Sequence, residues 1–272
     1  MIPRSHPVRG CLAAFCVLAF AAVPAHAQNK RGKAAKSPPN PAVTAAVAAP
    51  DAPSFVPLSY FSIPEGFEIT TWAQTPLFRN PTNMDIDAQG RIWVAEGANY
   101  RKHAGRDAAG DGVVMLEDTD GDGRADRSSV FVREPGMTAP LGVAVIDNQV
   151  IVSHAPDLIV YTDVDRDGKF DPRFDKRDVL LTGFHGRNHD HSLHSVTFGP
   201  DGRWYLNQGN CGAFFTDRSG RTFRIGSPYD PFKGSASTYI WSPPDIAGAT
   251  SDDGHVYTGG FTMRMQADGT QV

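Results

Sequence analysis

A short strand-turn-strand unit recurs along the chain, and that recurrence limits the possible folds more than any other feature. Residues 83–87 alternate apolar and polar, turn at Ala88-Gln89-Gly90 and return through 91–95. Residues 142–146, the turn Asp147-Asn148-Gln149 and residues 150–153 repeat the unit. Residues 195–198, Gly199-Pro200-Asp201-Gly202 and 203–207 repeat it again. Alternation of period two around turns rich in Gly, Asn and Asp marks β-hairpins, because successive side chains of a strand point to opposite faces. The turns return about every 55 residues, close to a propeller blade once long loops are allowed.

Further strand pairs fall between the copies, 113–117 with 129–133 and 158–162 with 179–182. Residues 68–73, 220–225, 255–258 and 261–265 also read as strands, and no long segment has helical periodicity. The expected fold class is all-β. The expected architecture is a β-propeller of four-stranded blades, whose closed ring leaves few free sheet edges. By this reading the chain carries three to four of six blades and is truncated.

Before the repeats the texture differs. Arg4 and Arg9, an apolar run over 11–23 and Ala25-His26-Ala27 make 1–27 a secretory signal. The run is too short for a confident membrane span, so no transmembrane segment is expected in the mature chain. Residues 28–53 are rich in Lys, Ala and Pro, lack aromatics and read as a disordered tether, leaving 54–272 as the propeller. The expected location is the periplasm or the cell exterior. Cleavage leaves Cys211 as the sole thiol, which rules out an internal disulfide. The net charge is −4 overall; residues 1–52 carry +5, which leaves −9 on the remainder. So acidic a domain repels phosphate backbones, so nucleic acid is excluded as a partner.

Two loops repeat one ligand spacing. Asp118, Asp120, Asp122 and Asp126 occupy positions 1, 3, 5 and 9 around Gly123, and Asp163, Asp165, Asp167 and Asp171 repeat this around Gly168. Those are the oxygen positions of an EF-hand-type calcium loop, with the carbonyls of Arg124 and Lys169 at position 7. Position 12 holds Ser129 and Phe174 rather than Glu, and strands rather than helices flank both loops. A true EF-hand is therefore excluded, and a calcium turn on a hairpin is expected. A solvated Asp/Gly turn explains one such loop, but two in matched register carry repulsion that a cation would relieve.

Residues 185–194 hold four histidines: His185, His189, His191 and His194. A spacing of i, i+2, i+5 does not by itself bring three imidazoles to one metal. Two readings stay open on the residues alone: one histidine as a general base, or polar lining of a channel.

Several stretches resemble planctomycete-type secreted dehydrogenase-like proteins, often called L-sorbosone dehydrogenases. They are Phe61-x-Ile63-Pro64-x-Gly66-Phe67, residues 83–96, 116–123, 140–143, 153–158 and 181–184, and His191-Ser192-Leu193-His194 with 198–202. That family is similar to the soluble quinoprotein glucose dehydrogenase propeller, a six-bladed fold that binds pyrroloquinoline quinone. The resemblance implies oxidation of a sugar or polyol hydroxyl, with a c-type cytochrome as electron acceptor. It also implies His191, a fixed distance before Gly199-Pro200-Asp201, as the base, with His194 second. No residue here matches the family's quinone ligands, so the cofactor-binding residues are unknown, and no haem-attachment motif is present. The alternative is a non-catalytic propeller that binds carbohydrate or protein.

Overall fold

The computed structural model describes residues 57–102, 104–186, 190–228, 246 and 248–272. The signal and tether expected over 1–53 lie outside them, as does His189. Among the described residues the fold is strands joined by turns, with a single three-residue 3-10 turn at Leu58–Tyr60. No described helix is long and apolar enough to cross a membrane.

The first sheet is a meander of β1 (Pro81–Ile86), β2 (Ile92–Glu96), β3 (Asp111–Glu117) and β4 (Arg127–Glu134). The second repeats it with β5 (Gly142–Ile146), β6 (Gln149–His154), β7 (Asp157–Thr162) and β8 (Lys176–Thr182). All neighbours within these two sheets are antiparallel. These are the two full repeats that the sequence pattern foretells.

The third copy departs from the pattern. Strands β9 (Leu193–Phe198) and β10 (Trp204–Gln208) pair as expected, but β14 (Phe261–Met265) takes the other edge of β10. Strands β11 (Ala213–Thr216), β12 (Thr222–Gly226) and β13 (Tyr257–Thr258) form a separate sheet, in which β12 and β13 run parallel. Four sheets result, none closed on itself. Residues 68–73, expected as a strand, belong to no sheet. They find no continuous partner strand; Trp72 instead accepts one bond from Ala125 N–H at 2.7 Å.

Aspartates at the hairpin turns explain why these sequences bend where they do. Asp87 accepts the N–H groups of Gln89 and Arg91 and the indole Nε1–H of Trp93, closing the β1–β2 turn on its own strand. Burial alone would raise its pKa, but bonds from Trp93 and Arg91 outweigh that and hold it below the ordinary value. Asp201 performs the same service for Arg203 N–H and the Tyr205 hydroxyl. Asp217 does so for Ser219 and Arg221. Short carboxylates that accept backbone N–H groups two residues on are natural turn formers.

The second sheet is buried on both faces. Val150, Val152, Ile159 and Tyr161 meet Trp93, Val113, Met115 and Phe131 of the first sheet. On its other face Ile151, Leu158 and Val160 meet Leu193, Val196, Trp204 and Leu206. An edge-to-face ladder links Trp93, Phe131, Tyr161 and Phe170, with centroids 5.2, 6.2 and 4.9 Å apart. First strands lie side by side: Asn83 and Asp85 of β1 accept the N–H groups of Val143 and Val145 in β5, at 3.0 and 2.7 Å. The first strands of the two sheets thus adjoin.

This topology sorts the connections into two ends. The β1–β2 and β5–β6 turns and the β3–β4 and β7–β8 loops leave from one end. The β2–β3 connection (97–110), the β8–β9 connection (183–192) and the β10–β11 connection (209–212) leave from the other. Contacts agree with that sorting. A cleft of about 450 Å³ is lined together by Asp87, Asp147, Asn148 and Asp163 at the first end, while Arg101 reaches Asp190 at the second.

Candidate functional site

The two aspartate loops fold alike. In the β3–β4 loop, Asp118 Oδ2 accepts Gly123 N–H at 2.9 Å and its Oδ1 accepts Asp122 N–H at 3.2 Å. In the β7–β8 loop, Asp163 accepts Gly168 N–H at 2.9 Å and Asp167 N–H at 3.2 Å in the same manner. Asp122 Oδ1 then accepts Arg124 N–H, and Asp167 Oδ1 accepts Lys169 N–H, both at 2.8 Å. A turn this tight needs left-handed backbone at its fourth and sixth positions. Gly121, Gly123 and Gly168 supply it without steric cost, whereas Arg166 enters that region at φ 62°. The side chain of Arg166 is anchored by two bonds to Asp147, at 2.8 and 2.7 Å. Asn148 adds a second tie, donating its Nδ2–H to Asp163 O at 2.8 Å.

Not every expected ligand converges. Asp118, Asp120 and Asp122 bring one carboxylate oxygen each within 4.8 Å of one another, and Asp163, Asp165 and Asp175 do the same in the second loop. Asp126 is turned to Thr119, bonding its N–H and hydroxyl. Asp171 is taken by Arg173, which pulls its pKa down to about 2. Position 9 therefore serves the loop ends rather than the centres. The Arg124 and Lys169 main chains run beside the clusters, and Asp167 is engaged with Lys169.

Asp175 is absent from the sequence reading. It lies one residue beyond the position where the spacing looks for Glu, and is drawn in because its carboxylate accepts Val164 N–H at 2.8 Å and Asp171 N–H at 2.7 Å. Asp163 and Asp175 are 7% and 8% exposed. Burial first, and the nearby Asp175 carboxylate, raise the pKa of Asp163. Asp118 sits on the opposite side of its ordinary value: desolvation pushes it up, and the N–H groups of Gly123, Gly121 and Asp122 bring it down. The second loop is thus the more strongly buried cluster of hard oxygen donors.

The histidines lie at the other end and do not form one centre. His191 is exposed; its Nδ1–H donates to Asn210 Oδ1 at 2.6 Å. His194, half-buried in β9, donates Nε2–H to the Asp190 carbonyl at 2.6 Å. His185 is held through its backbone N–H to Gly212 O. Among the described residues no group of three ligands at metal spacing includes a histidine. The connection 190–194 presses closely on 209–212, because a Cβ on Gly209 would stand 2.5 Å from His191 O. Beneath it Cys211 is fully buried, and burial pushes its thiol up to about 12. That residue fills space and is not a nucleophile.

With this geometry in view, residues 57–239 match the family described as Domain of unknown function (DUF7133). The chain belongs to that family. The DUF7133 match spans β1 through β12, so both aspartate loops, His191, His194 and Asn210 lie inside it. No curated protein matches the chain.

Proposed function

We propose that this DUF7133 domain is a calcium-binding part of an exported β-propeller, from a quinoprotein-like dehydrogenase that oxidises a sugar or polyol hydroxyl. Two features favour blades: successive four-stranded meanders stack face to face, and their first strands adjoin. Calcium suits the aspartate loops, since both offer only hard oxygens on short turns. Asp118, Asp120 and Asp122 would hold one ion, and Asp163, Asp165 and Asp175 the other. Both loops leave the strands at the end opposite His191, so the ions would brace hairpins and take no part in the chemistry.

The observation that carries the enzymatic reading is the bond from His191 Nδ1–H to Asn210. An amide oxygen only accepts, so the neutral ring carries its lone pair on Nε2, the atom that takes the proton from a substrate hydroxyl. His194 is the weaker candidate because its Nε2–H is given to Asp190 O. A bound quinone would supply the hydride acceptor, and a c-type cytochrome the onward electron path. Around His191 the described side chains include Arg101, Asp190 and Asn210, which do not assemble a cationic grip for an anionic quinone. No quinone ligand is assigned.

The test is a dye-linked assay with calcium and pyrroloquinoline quinone over a panel of sugars and polyols. Turnover that falls about 10²–10⁴-fold in His191→Ala supports the reading. Turnover untouched by that change removes His191 as the base. Saturable sugar binding without turnover would favour the non-catalytic alternative.

A further inference from the structure

Arg101, on the β2–β3 connection, reaches across to the histidine segment. Its Nη2 lies 2.7 Å from Asp190 Oδ1, a contact between residues 89 positions apart. The pair joins a loop of the first sheet to the connection that enters the third. Arg101 makes this contact with its backbone in the left-handed region, at φ 53°. A long side chain in that region bears a steric cost, which persists only where surrounding contacts over-determine the conformation. The guanidinium also lies over the Tyr100 ring, 5.3 Å from its centroid. Asp190 immediately precedes His191, and its carbonyl accepts the Nε2–H of His194. Whatever holds Asp190 therefore holds both histidines.

We propose that Arg101 is a positioning residue that acts through Asp190 to keep His191 in place. His191 is then fixed from two sides, its ring by Asn210 and its main chain through the tethered Asp190. The functional meaning of the tether rests on His191 as the base; the tether itself does not. Its partners are 55% and 45% exposed, so salt screens the pair and its strength is modest.

The test is hydrogen exchange of peptides covering 190–194, with site-resolved carbethoxylation of His191 and the exposed His255 as internal control. Wild type is compared with Arg101→Gln, Arg101→Lys and the charge-exchanged R101D/D190R at low and high salt. Arg101→Gln is expected to speed both readouts about two- to fivefold, the range of an exposed ion pair. High salt should do the same to the wild type. Arg101→Lys and the charge exchange should restore slow rates, and His255 should not change. Rates in Arg101→Gln equal to wild type, or a charge exchange that restores nothing, would overturn the proposal. If the dye-linked assay finds no substrate, the dehydrogenase reading fails while the exchange result still decides the tether.

Discussion

Asp163 and Asp175 bury their carboxylates together at the base of the β7–β8 loop, and both are satisfied by backbone N–H groups. Two acids so placed repel each other and are poorly solvated, which is why burial and Asp175 raise the pKa of Asp163. A divalent cation would convert that cost into stabilisation. With affinities of about 10⁻⁴–10⁻³ M, about 10 mM calcium would add roughly 1.4–2.7 kcal/mol per site. Thermal melts with and without calcium measure it, and no shift in melting temperature would contradict it.

The same pair gives a pH dependence. A carboxyl whose folded pKa is raised binds more protons folded than unfolded, so its contribution to stability declines as pH rises through the window just above 3.8. In chelator, Asp163→Asn is expected to remove that decline, while losing one of the two oxygens that accept the Gly168 and Asp167 N–H groups. In calcium the melting-temperature deficit of the same variant should widen, because a ligand is gone as well. Paired pH–melting curves with and without calcium check both effects.

Much of the scaffold was legible in the sequence. The hairpins around Gly90, Asp147 and Gly202 stand where alternation and turn residues put them, because each strand must turn one face to the core. How the third repeat is completed was not legible, since the pairing of β14 with β10 is a long-range choice that local alternation does not encode. Asp175 was missed for a related reason: its place is set by backbone bonds across the loop, not by a fixed spacing. His191 is exposed and has no periodic signature; only the resemblance to the dehydrogenase-like propellers, which places a base before Gly199-Pro200-Asp201, marked it.

Gly209 makes the approach of the histidine segment possible. Gly209→Ala would put a Cβ 2.5 Å from His191 O and 2.7 Å from His191 Cα, both backbone atoms. A destabilisation of about 1–3 kcal/mol is expected, as for overpacked sites, with faster exchange in 190–194. Denaturant unfolding and hydrogen exchange measure the two effects, and a wild-type midpoint would show that the segment yields freely.

Phe131 stands in the aromatic ladder between the first two sheets, 2% exposed and in contact with Trp93 and Tyr161. Phe131→Ala should cost about 3–5 kcal/mol through lost burial and the cavity left behind. Equilibrium unfolding in urea gives the value directly.

The central claim is that two matched loops at one end of the strands hold calcium and leave the His191 end to other work. Isothermal calorimetry with millimolar calcium tests it most directly, on wild type, Asp118→Asn and Asp163→Asn. The account predicts binding at two sites in the wild type, with each variant losing one of them. Absence of binding heat in the wild type, together with an unchanged melting temperature, would contradict it.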